Sequence, residues 1–347
     1  MSKKRTRLNA SNMPTLQDVA RIAGVSHSTV SRVLNQNTTS IPISAETRQK
    51  ILSAVQELGY QPNMIARSLR TQQTQMIAVM IGDISNAFYH PIVRAVQDVA
   101  HVHDYDVLIS NGDHLYENEV RFLKAVLRRP VDGVIIAPHR LKPGDLDNFI
   151  KRSHIPVVAI GAQMEHSLMD VVGGTSQPAT YDAITWLIRN KGYQRIGFMG
   201  VQDDMPPGPA RQRGYERAMS DAGLPIEPGF VQKVEFTVEG GEHGMRAYLE
   251  QPNPPSVIFA ANSLMAIGAI LTAKAAGRRV PADIGVMGFD DIPEAKIVDP
   301  QLTIVARDLP HIGQQVAEIL FERISGQMTG PGRFFQSQWQ VIERQSV

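Results

Sequence analysis

From Met76 onward the chain keeps one rhythm: short apolar runs closed by Gly, Pro or Asp, alternating with amphipathic segments of helical period. The runs lie at Met76–Ile81, 107–110, 133–137, Val157–Ile160, 195–200, Val257–Ala260 and 284–288. Helical spacing holds over 91–103, 117–128, 179–190, 210–222 and 264–276. Brief apolar runs of this kind suit strands buried on both faces, and parallel strands need a crossover helix between them. The pattern predicts an α/β core built as two doubly wound parallel-sheet halves. A chain of 347 residues is also too long for one ordinary core.

The first 75 residues differ in kind. Residues 14–60 read as an all-helical unit. Thr15 with Asp18 forms a variant capping box ahead of Leu16, Val19, Ala20 and Ile22, and Gly24 ends that helix as a C′ glycine does. Ser26 caps a second helix with Val30, Val33 and Leu34 inward; Ser44 opens a third with Ile51, Leu52, Val55 and Leu58 on one face, closed by Gly59. Two helices joined by the tight turn Ala23-Gly24-Val25-Ser26 make a helix-turn-helix, whose second helix lies in the major groove of DNA.

Charge distribution agrees. The whole chain is +1, but residues 1–75 hold ten Lys/Arg against three acids, so the head is +7 and the remainder −6. A basic head on an acidic body implies a polyanion partner at one end only. The absence of cysteine excludes disulfide scaffolds, Cys-zinc sites, iron–sulfur ligation and thiol catalysis. There is no Walker-type loop and no nucleophile elbow; His101 and His103, two apart on a helix, point to different faces. No enzyme, cofactor or metal is expected. With no apolar leader behind the charged N-terminus and no long apolar run, a cytoplasmic location with no membrane contact is the expectation.

Residues 15–35 resemble the head of the lactose/galactose-repressor (LacI/GalR) family of transcriptional regulators. The likeness continues through Leu58-Gly59-Tyr60-Gln61-Pro62-Asn63 and Ala66-Arg67-Ser68-Leu69-Arg70. Beyond the head it runs through Asp83-Ile84-Ser85-Asn86-Ala87-Phe88-Tyr89, Arg211-Gln212-Arg213-Gly214-Tyr215, Ala261-Asn262, Gly288-Phe289-Asp290-Asp291 and Pro300-Gln301-Leu302-Thr303. It thus covers nearly the whole chain. The resemblance implies a periplasmic-binding-protein-like core and a regulator, by default a repressor, whose operator affinity answers to a small molecule. Its DNA contacts fall on Thr15, Leu16, Ser26, His27, Ser28, Thr29, Ser31, Arg32, Asn35, Tyr60, Asn63, Arg67, Ser68 and Leu69. His27, Ser28 and Arg32 would read base edges; Thr29, Ser31 and Asn35 are better placed for phosphates. Leu69, between Arg67 and Arg70, would wedge into the central base step of the minor groove and bend the duplex.

In the core, the resemblance places effector contacts at Phe88, Arg211, Phe236, Asn262, Asp290 and Arg307. Asn and Asp suit vicinal hydroxyls, Arg offers a planar fork, and aromatic rings stack on an apolar sugar face. Arg211 could instead pair with Glu216 or Asp221. The sequence departs from sugar-binding relatives at Gly161, at Gly173-Gly174 and at Ser263, where acids or an Asp-Asn pair are usual. Fewer acids beside retained arginines favour an anionic sugar derivative over a neutral sugar.

The expected organisation is a basic tail (1–13), a helix-turn-helix domain (14–62), a hinge helix (63–75) and a core (76–347). Within the core, one subdomain takes about 76–174 and 306–332 and the other about 175–305 and 333–347. One head reads few base pairs, so a homodimer on a near-palindromic double-stranded operator is expected, with contacts on helices 91–103 and 264–276. The final strand is expected at 339–343, with no trailing heptads, which favours a dimer over a coiled-coil tetramer. The competing classes are a transport-type small-molecule binder and an architectural DNA binder; the basic head opposes the first and the large acidic core the second.

Overall fold

Capping residues set the three helices of the N-terminal unit. The computed structural model describes residues 14–34, 42–61, 68, 73–161, 167–203 and 205–347, and the chain divides into units of residues 1–74 and 75–347. Helix α1 (Leu16–Ala23) opens with the Thr15–Asp18 capping box: Asp18 N donates to Thr15 Oγ1 at 3.3 Å, and Thr15 N donates to Asp18 Oδ2 at 2.9 Å. Gly24 ends it at φ 65°, left-handed backbone that costs a glycine nothing. Helix α2 (His27–Leu34) follows at once, with Ser26 Oγ accepting from Thr29 N at 3.2 Å. Helix α3 (Ala45–Leu58) starts at the Ser44 cap and ends at Gly59. Val19, Ala20, Ala23, Val30, Val33, Ile51, Ala54 and Tyr60 form the small core. Leu52 is not part of that face. It is 45% exposed, and Ala54, three residues after Ile51, takes the inward position expected of it.

The larger unit holds two six-stranded sheets. In the first half β1 (Met76–Ile81), α4 (Tyr89–Val102), β2 (Asp106–Asn111), α5 (Tyr116–Val126), β3 (Gly133–Ile136), α6 (Pro143–Ser153), β4 (Val157–Ile160) and β5 (Asp170–Gly173) follow one another. The second half runs α7 (Ser176–Lys191), β6 (Ile196–Gly200), α8 (Gly208–Asp221), β7 (Val231–Lys233), α9 (Val238–Leu249), β8 (Val257–Ala260), α10 (Ser263–Ala275), β9 (Gly285–Phe289) and β10 (Thr303–Ala306). The chain then returns to the first half as α11 (Leu309–Ile324) and β11 (Phe334–Gln336), and ends in the second as β12 (Gln340–Ile342). Strand orders are β11-β5-β4-β3-β1-β2 and β12-β10-β9-β8-β6-β7, parallel except for the antiparallel β10–β12 pair.

The apolar rhythm explains the layers. In β1, Ile77, Val79 and Ile81 face α4 and α11, whereas Ala78 and Met80 face the side covered by Phe122, Leu146 and Phe149. Both faces are dry, as a parallel sheet with helices on each side requires. Helix α11 places Leu309, Ile312, Val316 and Leu320 under the first sheet, so a late segment of chain completes an early core. It is anchored by Asp170, fully buried, which accepts from Arg323 Nε at 2.8 Å and Arg333 Nε at 3.0 Å. Helices α6, α9 and α11 and strands β5, β7 and β11 add to the elements expected from the sequence.

One expected boundary shifts. β11 pairs with β5, so the last crossing between halves lies at 337–339, later than the expected 332/333 boundary. Helix α10 packs against β8, β9 and α9 and leaves Leu271 50% exposed.

Candidate functional site

A cavity of about 840 Å³ opens between the two halves, at the carboxyl ends of the strands. Ligands of open α/β sheets bind at such crevices, and the volume suits a small organic molecule. Helices α4, α6, α7, α8, α9 and α10 all bring their first turns or the residues just before them to its wall, through Tyr89, Pro143, Ser176, Pro207, Val238 and Asn262. Helix N-termini favour negative charge. All six residues expected to contact an effector, Phe88, Arg211, Phe236, Asn262, Asp290 and Arg307, line this one cavity.

The floor is a charged group built by strand ends. Arg211, on the first turn of α8, lies flat on Phe289 with its guanidinium carbon 3.6 Å from the ring centroid. Its Nη2 is 3.4 Å from Asp290 Oδ2, and its Nη1 donates to the Ala261 carbonyl. Burial holds Arg211 below its ordinary range, to about 10, although Asp290 pulls the other way. The surface partners considered for it are taken by neighbours: Gln212 bonds Glu216 and Arg217 pairs with Asp221. Asp290 sits at φ 73°, uncommon for a residue with a side chain and a sign of local strain at a site. Its Oδ1 is buried without a hydrogen-bond partner. The next residue, Asp291, faces away from this group and is held by Arg344 at 2.8 and 2.9 Å.

Arg307 follows β10. Its guanidinium carbon lies 4.3 Å from the Trp339 ring and 5.8 Å from Phe88, and its Nε is buried and unpartnered. Trp339 was missing from the sequence expectation: one aromatic in a polar stretch carries no periodic signal. Asn262 lines the cavity, yet its amide is engaged at both ends: Oδ1 accepts from Met265 N at 2.8 Å and Nδ2 donates to Phe236 O at 3.1 Å. It caps α10 and pins Phe236.

The three departures from the sugar-binding pattern also have local causes. A Cβ on Gly173 would meet Gly161 O at 2.4 Å, so the two backbones touch where acids are usual. Ser263 Oγ donates to the Phe289 carbonyl at 3.0 Å, tying α10 to the strand that carries Asp290. An acid there would face carbonyl oxygens.

The opposite wall escaped the sequence reading. Glu119, 1% exposed, accepts from the backbone N–H groups of His139, Arg140 and Leu141 at 2.9, 3.0 and 2.8 Å. His139 packs edge-on against His114, ring centroids 4.3 Å apart, and its Nδ1 donates to Ala137 O at 3.1 Å. Burial, then the nearby His114, push His139 down to about 3, so it is neutral at ordinary pH. Arg140 Nη2 reaches Met205 Sδ at 4.0 Å, a contact from one half to the other.

In the head, Thr15, Ser26, His27 and Ser28 are exposed, and Thr29, Ser31 and Arg32 half-buried. Thr15 and Ser26 spend their side chains on caps. Leu16 packs on the head core, and the Tyr60 ring is 8% exposed within it. Ser68 is half-buried; Asn35, Asn63, Arg67 and Leu69 lie outside the described residues.

Residues 15–63 match the model of bacterial regulatory proteins, lacI family, and residues 187–347 that of a periplasmic binding protein-like domain. Catabolite control protein A of Priestia megaterium is 33% identical over 307 residues, 88% of this chain and 91% of that relative. The chain belongs to the lacI family. A further relative, the HTH-type transcriptional repressor CytR of Escherichia coli (strain K12), is 31% identical over 318 residues, 92% of each chain. Among solved structures, the Lac repressor dimer bound to operator and the anti-inducer ONPF superposes with a TM-score of 0.84 at 25% identity, over 96% of this chain and 98% of that one. The transcriptional regulator CelR–cellobiose complex matches with 0.70 at 29%, over 96% and 100%. As a lacI-family member the protein is a DNA-binding transcription regulator, not an enzyme. Among the described residues no helix is long and apolar enough to cross a membrane.

Proposed function

We propose that this regulator works as a homodimeric repressor on a near-palindromic operator, and that a sugar or sugar derivative in the cleft sets its operator affinity. The observation that carries the effector reading is the cavity itself: polar floor, aromatic flanks, and walls from both halves of the core. A ligand that prefers one hinge angle shifts the population between operator-competent and incompetent states. Head contacts fall on the α2 start, with Arg32 reading a base edge and Leu69 wedging between base steps.

Dimerisation has its own support. Strand β2 is a sheet edge whose Leu108 and Ile109 are both 44% exposed, beside Val102 at 80% on the end of α4. Unpaired apolar edges are normally covered.

Selection of bound sequences from a random DNA pool, followed by mobility shifts at stated salt, tests the reading. An enriched two-fold-symmetric site, bound by two copies and released or tightened by one sugar, is expected. Sequence-independent binding with no small-molecule response would overturn it. Leu69→Ala should weaken operator binding and reduce DNA bending.

A further inference from the structure

The charges on the cavity floor do not balance. Two guanidinium groups, Arg211 and Arg307, share one carboxylate, Asp290. Arg211 is compensated: it has Asp290, the Ala261 carbonyl and the Phe289 face. Arg307 is not. Among the described residues no carboxylate lies within ion-pair distance of it, and its contacts are the two aromatic rings of Phe88 and Trp339. Burial lowers its proton affinity too, the direction expected of a cation without an adequate counter-charge. A buried unpaired cation is costly unless an anion arrives.

We infer that the effector carries an anionic group, a carboxylate or a phosphate, and that Arg307 rather than Arg211 is its seat; this rests on the cleft being the effector site. Two aromatic rings pack close to the guanidinium and offer it no acceptor oxygen, leaving its N–H groups for the bidentate pairing that carboxylates and phosphates accept. Helix α7 packs on β10, whose end leads to Arg307, and Ser176 on its first turn lines the same cavity. Ser176 is 2% exposed and its hydroxyl has no partner, so it is a second donor at a helix N-terminus. The free Oδ1 of Asp290 takes a hydroxyl of the same ligand, held in place by Arg211. The other acids on the lining do not compete for the anion's seat: Glu235 and Glu239 are exposed, and Asp83 accepts from Ser85. Where acids are usual in sugar-binding relatives, the backbone contact of Gly173 with Gly161 leaves no side chain at all.

The test is calorimetric, on the full chain, with matched sets: hexoses and pentoses, their phosphates, and their aldonates and uronates, plus inorganic phosphate against chloride at equal ionic strength. An anionic member is expected to bind at least a hundredfold more tightly than its neutral parent. Arg307→Gln should bring the two within a factor of a few, and Arg307→Lys should recover part of the preference. Circular dichroism and Tm of the unliganded variants verify that both fold. Phosphate and carboxylate arms separate the two anion sources. A neutral sugar binding as tightly as its anion, a preference surviving Arg307→Gln, or no Arg307-dependent response to any anion would each overturn the inference. Operator mobility shifts in parallel keep the two readings apart. Anion binding at Arg307 with unchanged operator affinity rejects the cleft as effector site but not the anion seat. A neutral sugar that shifts operator affinity does the reverse.

Discussion

Glu119 Oε2 lies 2.8 Å from the backbone nitrogen of Leu141, and the same carboxylate holds the nitrogens of His139 and Arg140. One buried side chain therefore shapes a whole stretch of cavity wall. In Glu119→Gln an amide N–H₂ replaces one acceptor and confronts a backbone donor. A loss of about 1–3 kcal/mol is expected, read by denaturant unfolding at pH 7. An unchanged midpoint would show that the wall is held otherwise.

Asp170 joins β5 to both Arg323 and Arg333. Asp170→Asn leaves two guanidiniums short of their counter-charge, and about 3–5 kcal/mol of destabilisation is expected for a broken buried pair. Burial alone would raise the Asp170 carboxyl, but the bonds from Arg323 and then Arg333 outweigh it and hold it below 3.8. Its contribution is thus complete above the ordinary carboxylate range and lost as pH falls through the lower, folded-state value. Acid titration of Tm should show a steeper low-pH limb for the wild type than for the variant.

His139 works with the opposite polarity of charge. Its folded-state value of about 3 lies below the ordinary 6.5, so between them the unfolded chain holds a proton that the folded chain refuses. Stability is therefore lost as pH falls through that window, by about 1.4 kcal/mol per unit at the limit for one such group. His139→Asn, which keeps a donor for Ala137 O, should flatten the decline of Tm between pH 6.5 and 4. A slope equal to that of the wild type would assign the decline to other groups.

Gly173→Ala forces a methyl group onto the Gly161 carbonyl, which is backbone and has little room to yield. About 1–3 kcal/mol of overpacking is expected, with ligand affinity falling alongside because the displaced Gly161 lines the cavity. Differential scanning calorimetry and ligand titration on the same sample check both halves of that statement.

Arg32→Ala tests the head. If the guanidinium reads a guanine, affinity for the selected operator drops by about 1–3 kcal/mol and base preference relaxes at one position per half-site. A uniform loss across all sequences, with a smaller salt slope, would reassign Arg32 to phosphate.

Much of this was legible in advance, for physical reasons that differ by element. β1, β4 and β8 were found to the residue because fully buried parallel strands must be continuously apolar. β5, β7 and β11 were not: a four-residue Asp170–Gly173 and two three-residue strands fall below any periodic signal. The caps Thr15, Ser26 and Ser44 were readable because they act locally. Arg211 and Asp290 could be proposed, but not their pairing, which closes over a separation of 79 residues. Asn262 shows the opposite limit: a polar residue in the right place whose side chain is consumed by a cap and a loop carbonyl. Glu119 gave no hint at all, since it stands two residues from the exposed Glu117 on the same helix and only the fold turns it inward.

The chain passes between its two halves at 174–175, 307–308 and 337–339. Arg307 lies on the second of these straps, Trp339 on the third, and Gly174 on the first, with Ser176 just beyond it. Residues of all three connecting segments or their immediate neighbours thus line the cleft itself. On the reading proposed above, a ligand that changed the spacing of Arg307 and Trp339 would act on the connections between the halves directly, with no relay of side chains in between.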